Sequence, residues 1–345
     1  MSRLILFLLI AAIMAGCHSG NRGPDVSDIR VNISVDRFDE AFFGMDTNQL
    51  RSSLETVNRQ HAELLGPFLE TIVGVSDTNS IKTFFRLHKP LFDSSQILYS
   101  DFEPVKNDLV RALQYVKYYY PSYKIPARII PIVGPMNSID DMAKMRNGDF
   151  TGVFLAPDFA GISLQFYLGK DFSFYQQEYF INNVVPLYRS RRFAPEYIVP
   201  DILKVIADDL FPYNSQTRPL IEQMIEQGKY WWLVKKFMPA ASDTLITGYT
   251  GLQQEFCEEN EGLIWSYIVR TEDLHSLDAV TIQTYMGEGP FTQGLNQEHS
   301  PGKIGPWIGW QILKNFEEKK PDLVIEEIMK TPPAQILELA KYKPK

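Results

Sequence analysis

The side chains of this 345-residue chain that could do chemistry are mostly carboxylates. The stretch FCEENEGLIWSYIV, residues 256 to 269, places Glu258, Glu259 and Glu261 directly before a Gly-Leu and an apolar run. In zinc peptidases a helix of that kind often carries the third metal ligand. The rest of such a site is H-E-x-x-H, two imidazoles one helical turn apart with a glutamate to activate water. The histidines are His18, His61, His88, His275 and His299, and no two of them stand four apart. A histidine standing alone is more often a surface or satisfied core residue than a ligand. The sequence also lacks a G-x-S-x-G elbow, a G-x-G-x-x-G turn, a Walker A loop and a C-x-x-C pair. Tight carboxylate pairs beside apolar helices occur at Asp208-Asp209 and Glu258-Glu259. Glycosidase carboxylates come from distant positions, so that chemistry stays open, although solvated helix faces account for such pairs more often. The expectation is therefore no complete catalytic set, no metal and no cofactor.

The elements that would position these residues follow from periodicity. On a helical wheel over 251 to 269, Leu252, Phe256, Cys257, Leu263, Ile264, Tyr267 and Ile268 fill one arc. Asn260 lies at its centre, Glu259 and Glu261 at its borders, and Glu255 and Glu258 face away. The pattern predicts one core helix with a buried asparagine that needs hydrogen-bond partners. In SPGKIGPWIGWQILKNF, residues 300 to 316, Gly305 and Gly309 share the aliphatic arc of Ile308, Ile312, Leu313 and Phe316. Two glycines four apart let a neighbouring helix approach closely. Trp307 and Trp310 fall on the other side with Lys314, which makes them a second packing layer or an exposed partner-binding pair.

Farther upstream, IRVNISV (29 to 35) alternates like a half-buried strand, and helical spacing runs over 38 to 43, 49 to 73, 80 to 92 and 103 to 119. Pro121 ends the last of these. Strand patterns follow at ARIIPIVG (127 to 134), GVFLA (152 to 156) and ISLQFYLG (162 to 169), the last with Ser163, Gln165 and Tyr167 on a face read as available. Beyond Pro200 nearly everything reads as helix: 199 to 211, 217 to 237, 251 to 269, 278 to 286, 304 to 318, 321 to 330 and 332 to 341. Helices, a small mixed sheet, then helices again argue an α+β fold. Residues 29–190 form its α+β N-terminal part and 191–345 its helical C-terminal part, with the bend at 189 to 200 as the one place for a boundary in an otherwise continuous chain.

The chain begins MSRLILFLLIAAIMAGC. The apolar run is shorter than the ~20 residues a membrane span needs, so residues 1–16 read as a secretory signal. Small residues directly before Cys17 match the bacterial lipobox, which makes Cys17 the lipidated first residue and 17–28 a polar tether. Acylation, palmitate included, would anchor the protein on a membrane without spanning it. His18 after the cysteine, by the known sorting rules, favours the periplasmic face of the outer membrane. With Cys17 in a thioether, Cys257 is left as a lone and buried thiol. Loss of Arg3 with the signal takes the net charge from -8 to -9, which argues against a nucleic-acid partner.

These features together resemble the gliding-motility lipoproteins of the GldB type found in Bacteroidetes. The matching pieces are Cys17 with its lipobox, VDRFDEAFF (35 to 43), YVKYYYP (115 to 121), FAPEYIVP (193 to 200), ITGYT (246 to 250), CEENEGLIW (257 to 265), SPGKIGPWIGWQI (300 to 312) and KYKPK (341 to 345). That family is in turn distantly similar to H-E-x-x-H zinc peptidases with a later Glu-Gly helix and a C-terminal Gly-Trp helix. The resemblance sets IADDLFP (206 to 212) at the metal helix, so that Asp208, Asp209 and Pro212 stand where His, Glu and His are required. Glu258 or Glu261 would then be a remnant of the third-ligand helix, and ISLQFYLG the edge strand that holds a peptide. What it implies is a degenerate, metal-free peptidase-like scaffold. Such a chain would be a non-catalytic envelope lipoprotein in contact with proteins of the gliding and surface-secretion machinery. Its rivals are an envelope hydrolase using the carboxylates and a module that binds peptide or glycan in the old groove.

Overall fold

Most of the chain's periodic segments become the elements they predict in a computed structural model that describes residues 23–136, 151–213, 217–271 and 274–344. The signal run and Cys17 lie outside the described residues. The first half contains β1 (Ser34–Val35), α1 (Phe38–Phe43), α2 (Leu50–Gln60), α3 (Ala62–Pro67), α4 (Thr78–Tyr99) and α5 (Glu103–Tyr119). Then come β2 (Arg128–Ile132), β3 (Val153–Leu155), β4 (Phe159–Ser163), α6 (Glu178–Asn183), α7 (Leu187–Ser190) and α8 (Ile198–Leu210). The second half is helical: α9 (Leu220–Phe237), α10 (Asp243–Thr247), α11 (Gly251–Glu259), α12 (Glu261–Thr271), α13 (Ala279–Met286), α14 (Ile304–Lys319), α15 (Ile325–Lys330) and α16 (Pro333–Ala340). The fold is α+β, with one small mixed sheet among many helices.

The long periodic run at 49 to 73 is not one helix. His61 adopts φ -134° and ψ 49° between α2 and α3, and a π-helical turn, Phe68–Val73, follows Pro67. Proline has no N–H to donate to the preceding turn, so the regular ladder cannot pass through it unchanged. At Pro90 the opposite happens: α4 continues, and Ser94 Oγ donates to the Pro90 carbonyl at 2.8 Å.

Strand order is β1-β2-β4-β3, with β1, β2 and β4 parallel and β3 antiparallel to β4. Only Ser34 and Val35 of the alternating run at 29 to 35 enter the ladder. The Ile29 carbonyl instead accepts from Gln114 Nε2 at 2.9 Å. The reading of ISLQFYLG as an edge strand with a free face is overturned. Pairing stops at Ser163, Leu164–Phe166 is a 3₁₀ turn, and β4 is flanked by β2 and β3. Gln165 and Tyr167 are buried and each finds a partner inside, although Gln165 Nε2 has none among the described residues. Gln165 Oε1 accepts from Gly134 N at 3.0 Å, and Tyr167 Oη accepts from Gly152 N at 2.9 Å while donating to Asp201 Oδ2 at 2.9 Å. Alternation marks such residues as outward, whereas a satisfied polar side chain can be buried.

Buried apolar residues form one cluster from Val26 to Tyr342. In the N-terminal half it is aromatic: Phe38, Phe42, Phe43, Phe68 and Phe84 meet mostly edge to face, the geometry ring quadrupoles favour. Beside them Asp39, fully buried, accepts from Arg37 Nε and Nη2 at 2.9 and 2.7 Å, a bidentate pair that compensates the buried charge. In the C-terminal half α9 is buried on every side and packs along α14. The close approach expected at Gly305 and Gly309 is observed: a Cβ on Gly309 would overlap the Met224 carbonyl. Lys229, buried within α9, donates to the Met329 and Thr331 carbonyls at 3.1 and 2.7 Å and pairs with Glu226 at 2.8 Å. It thereby satisfies carbonyls at the end of α15, where a cation is favoured.

The described end of the tether, 23 to 28, is docked rather than free. Val26 is buried, and a Cβ on Gly23 would touch Pro239 and Tyr115.

Candidate functional site

The carboxylates singled out by sequence do not converge. On α8, Asp208 is half-buried and Asp209 is exposed, its Oδ2 accepting from Tyr123 Oη at 2.8 Å, while Pro212 lies exposed past the helix end. The acid that α8 turns inward is Asp201, one the sequence reading passed over. It accepts from Tyr167 Oη at 2.9 Å and from Lys204 Nζ at 3.1 Å. Glu258 is exposed and accepts from Gln254 Nε2 at 2.6 Å; Glu261 accepts from Tyr342 Oη at 2.6 Å. Asp208, Asp209 and Pro212 stand at the end of α8, and Glu258 and Glu261 flank the α11–α12 junction, with Asp209, Glu258 and Glu261 each engaged by a different partner. Among the described residues no three His, Cys, Asp or Glu side chains form a set that could hold a metal.

Between Glu258 and Glu261 the helix breaks at Asn260. This residue was expected at the buried centre of one helix, but it is only half-buried and separates α11 from α12 with φ -117° and ψ 19°. Its Nδ2 donates to the Phe256 carbonyl at 2.9 Å. A wheel assumes uninterrupted helical dihedrals; past Asn260, Leu263 is 71% exposed although the wheel puts it on the core arc, while Ile264 and Ile268 are buried. Glu261 meets the C-terminal tail, where Trp265 packs edge-on against Tyr342 at 5.1 Å.

The densest buried charge lies elsewhere, around Glu288. Its side chain is 9% exposed, and its two oxygens accept from Arg189 Nε at 2.6 Å and Arg192 Nη2 at 2.5 Å. Burial pushes this carboxyl up, but Arg192, Arg189 and Lys303 outweigh burial and hold it down at about 2. Next to it Arg191 Nη2 donates to the Gly248 carbonyl at 2.8 Å and to Gln253 Oε1 at 3.0 Å. Burial, then Arg192, lower the Arg191 guanidinium from its ordinary value. Gln253 is also half of a capping box with Thr250 at the start of α11. Tyr249 Oη donates to the Lys303 carbonyl at 2.9 Å, just before α14.

Four separate stretches therefore meet at this point: the arginines of 189 to 192, ITGYT, the Glu288 loop and SPGKIG. Gly248, at φ 74°, has the left-handed backbone that favours glycine, and a Cβ there would press on the Arg192 side chain. A carboxylate held ionised, with both oxygens taken by arginines, has no proton to give near neutrality and is a weak base. What the arrangement does chemically is clamp loops together. The sequence signal for it was the run RSRR (189 to 192) in a chain of net charge -8.

Against known families, the model described as "Gliding motility protein GldB" matches residues 19–344. The chain belongs to the GldB family. No curated protein and no solved structure matches it. The match takes in the whole described part, so the Glu288 clamp and the docked tether are both features of a GldB-family chain, and the protein is related to gliding motility. No helix among the described residues is long and apolar enough to cross a membrane.

In this GldB-family chain the tryptophan pair is not an exposed patch. Trp307 and Trp310 are each 1% exposed, because α14 is covered on its second side as well as on its aliphatic arc. Trp310 meets Trp231 edge to face at 6.4 Å and lies 4.3 Å beneath Lys314 Nζ. The pair is a packing layer. Cys257 is free and buried, and burial pushes its thiol up, which leaves it an inert core residue.

Proposed function

We propose that this GldB-family chain is a non-catalytic lipoprotein, held by acyl chains on Cys17 at the periplasmic face of the outer membrane. It acts in the gliding and surface-secretion apparatus through protein contacts. The observation that carries the reading is that Asp209, Glu258 and Glu261 are each engaged by a different partner, Tyr123, Gln254 and Tyr342. General acid or base work needs its carboxylates within hydrogen-bond reach of one substrate.

The test is complementation of a depletion strain, scored for viability, gliding and export of surface proteins, with protein level checked by blot. Asp208→Asn, Asp209→Asn and Glu261→Gln keep shape and remove charge, and each is expected to complement. A hydrolase would lose orders of magnitude in rate from such a change. A single stable carboxylate variant that abolishes complementation would put the hydrolase reading first.

A further inference from the structure

The outer face of α4 differs in character from the rest of this acidic chain. At 100° per residue, Asn79, Lys82, Thr83, Arg86 and Pro90 share one face of the helix, with Lys89 at its border. Together with Thr47, Asn48 and Phe85 they line an open groove of about 830 Å³ that no carboxylate enters. Lys82 and Arg86 are exposed. Neither makes an ion pair or a side-chain hydrogen bond among the described residues, whereas Lys89 is paired with Asp93 at 2.5 Å. Two unpaired cations thus lie one turn apart in a groove that also holds a half-buried aromatic ring, flanked by amide and hydroxyl groups.

A second observation lies on the same helix. Ile97 is 82% exposed on the azimuth of Asn79, five turns on, and Leu87 is 62% exposed beside Thr83. Large exposed apolar side chains on the helix face that carries a cationic groove are the composition of a protein contact and not of a site for a bare anion. The cationic part, from Asn79 to Pro90, is about 16 Å long at 1.5 Å per residue, the span of about five residues of extended peptide.

We propose that this groove docks an acidic, partly apolar peptide segment of a partner protein. Its carboxylates would sit on Lys82 and Arg86, and its apolar side chains against Phe85 and Leu87. The proposal rests on the reading of this chain as one that works through protein contacts, and it names where one such contact is made. Charge complementarity selects the occupant: every charged side chain lining the groove is a cation, and carboxylates accept from Arg and Lys with charge-assisted hydrogen bonds.

The experiment uses the detergent-solubilised full chain and a fluorescein-labelled Glu-Glu-Leu-Glu-Glu-Leu peptide, read by fluorescence anisotropy at low and physiological salt. Wild type is expected to bind, more weakly as salt rises. The double variant Lys82→Glu, Arg86→Glu should weaken binding by about tenfold or more, and Lys320→Glu, an exposed cation elsewhere, should leave it unchanged. Circular dichroism checks folding, and Lys82→Ala, Arg86→Ala gives the same direction with less perturbation. Three results would overturn the proposal: no binding of the peptide to wild type at low salt, equal weakening by Lys320→Glu, or binding to phosphatidylglycerol vesicles that the peptide does not compete away. These readouts need no gliding cell, so their failure would leave the complementation result standing on its own.

Discussion

Gly228 of α9 and Gly309 of α14 face each other where the two helices cross, and neither has room for a methyl group. A Cβ on Gly228 would overlap Gly309 C and Trp310 N, and one on Gly309 would overlap the Met224 carbonyl. The obstacle in each case is backbone, which cannot rotate aside. Gly309→Ala must therefore push the central helices of the C-terminal half apart, and is expected to lower unfolding free energy by about 3 kcal/mol or more. Gly66→Ala is the contrast: it is also within a helix, but nothing lies within 4 Å of the added atom. There alanine should be neutral or stabilise by up to about 1 kcal/mol through helix propensity. Urea unfolding of the two variants gives the comparison directly, and equal effects would contradict the crossing geometry.

Glu288 should make the protein acid-sensitive in a defined window. Its carboxyl is held at about 2, against an ordinary 4.5 in an unfolded chain. Because the folded value is the lower one, the unfolded state binds more protons between these limits. Stability from the clamp is full above about pH 5 and is lost as pH falls toward 2, in all about 3 kcal/mol. Glu288→Gln removes the carboxylate that both part-buried arginines, Arg189 and Arg192, share. It should cost about 3–5 kcal/mol at pH 7 and much less at pH 3, where wild type has already lost part of the same term. Denaturation curves at the two pH values test this; a constant difference between them would exclude the clamp as described.

The tryptophans give a stability prediction where sequence had left a binding role open. With both rings buried, Trp307→Ala and Trp310→Ala should each lower stability by about 3–5 kcal/mol, measured by thermal or chemical unfolding. Neither Nε1 has a hydrogen-bond partner among the described residues. Phenylalanine deletes that unpaired donor together with some area, so Trp310→Phe should cost far less than Trp310→Ala. A binding role separate from folding would instead show Trp310→Ala as stable as wild type.

What could be read from sequence was local. Helices α5, α9 and α14 carry enough apolar residues at helical spacing to be found, and the glycine pair on α14 announced a close crossing. The failures came where local rules compete with distant partners. Ser163, Gln165 and Tyr167 alternate as outward residues should, yet Tyr167 is drawn inward by Gly152 and Asp201. Asn260 ends a helix that its wheel treats as continuous. Trp307 and Trp310 lie off the aliphatic arc, and only the tertiary packing covers them. Glu288 finds its arginines 99 and 96 positions away, a separation at which no spacing rule operates.

The anchor prediction rests on Cys17 and on the docked residues after it. Several acyl chains, at roughly 0.8 kcal/mol per buried methylene, hold a protein on a membrane far longer than one chain would. From Cys17 to Gly23 the backbone can reach at most about 20 Å, and from Gly23 onward the chain is fixed against Tyr115 and Pro239. With that anchor, the face that bears Pro239 would be kept close to the bilayer. Cys17→Ala is expected to move the protein from the membrane pellet to the soluble or unprocessed fraction and to abolish labelling with a palmitate analogue. Lengthening the tether by a Gly-Ser insert after Cys17 should retain labelling and pelleting, while a photo-crosslinker placed at Ala240 loses its lipid adducts. Labelling that survives Cys17→Ala would remove the lipid anchor from the proposal, and lipid adducts at Ala240 that are indifferent to tether length would show that the docked segment does not set the distance.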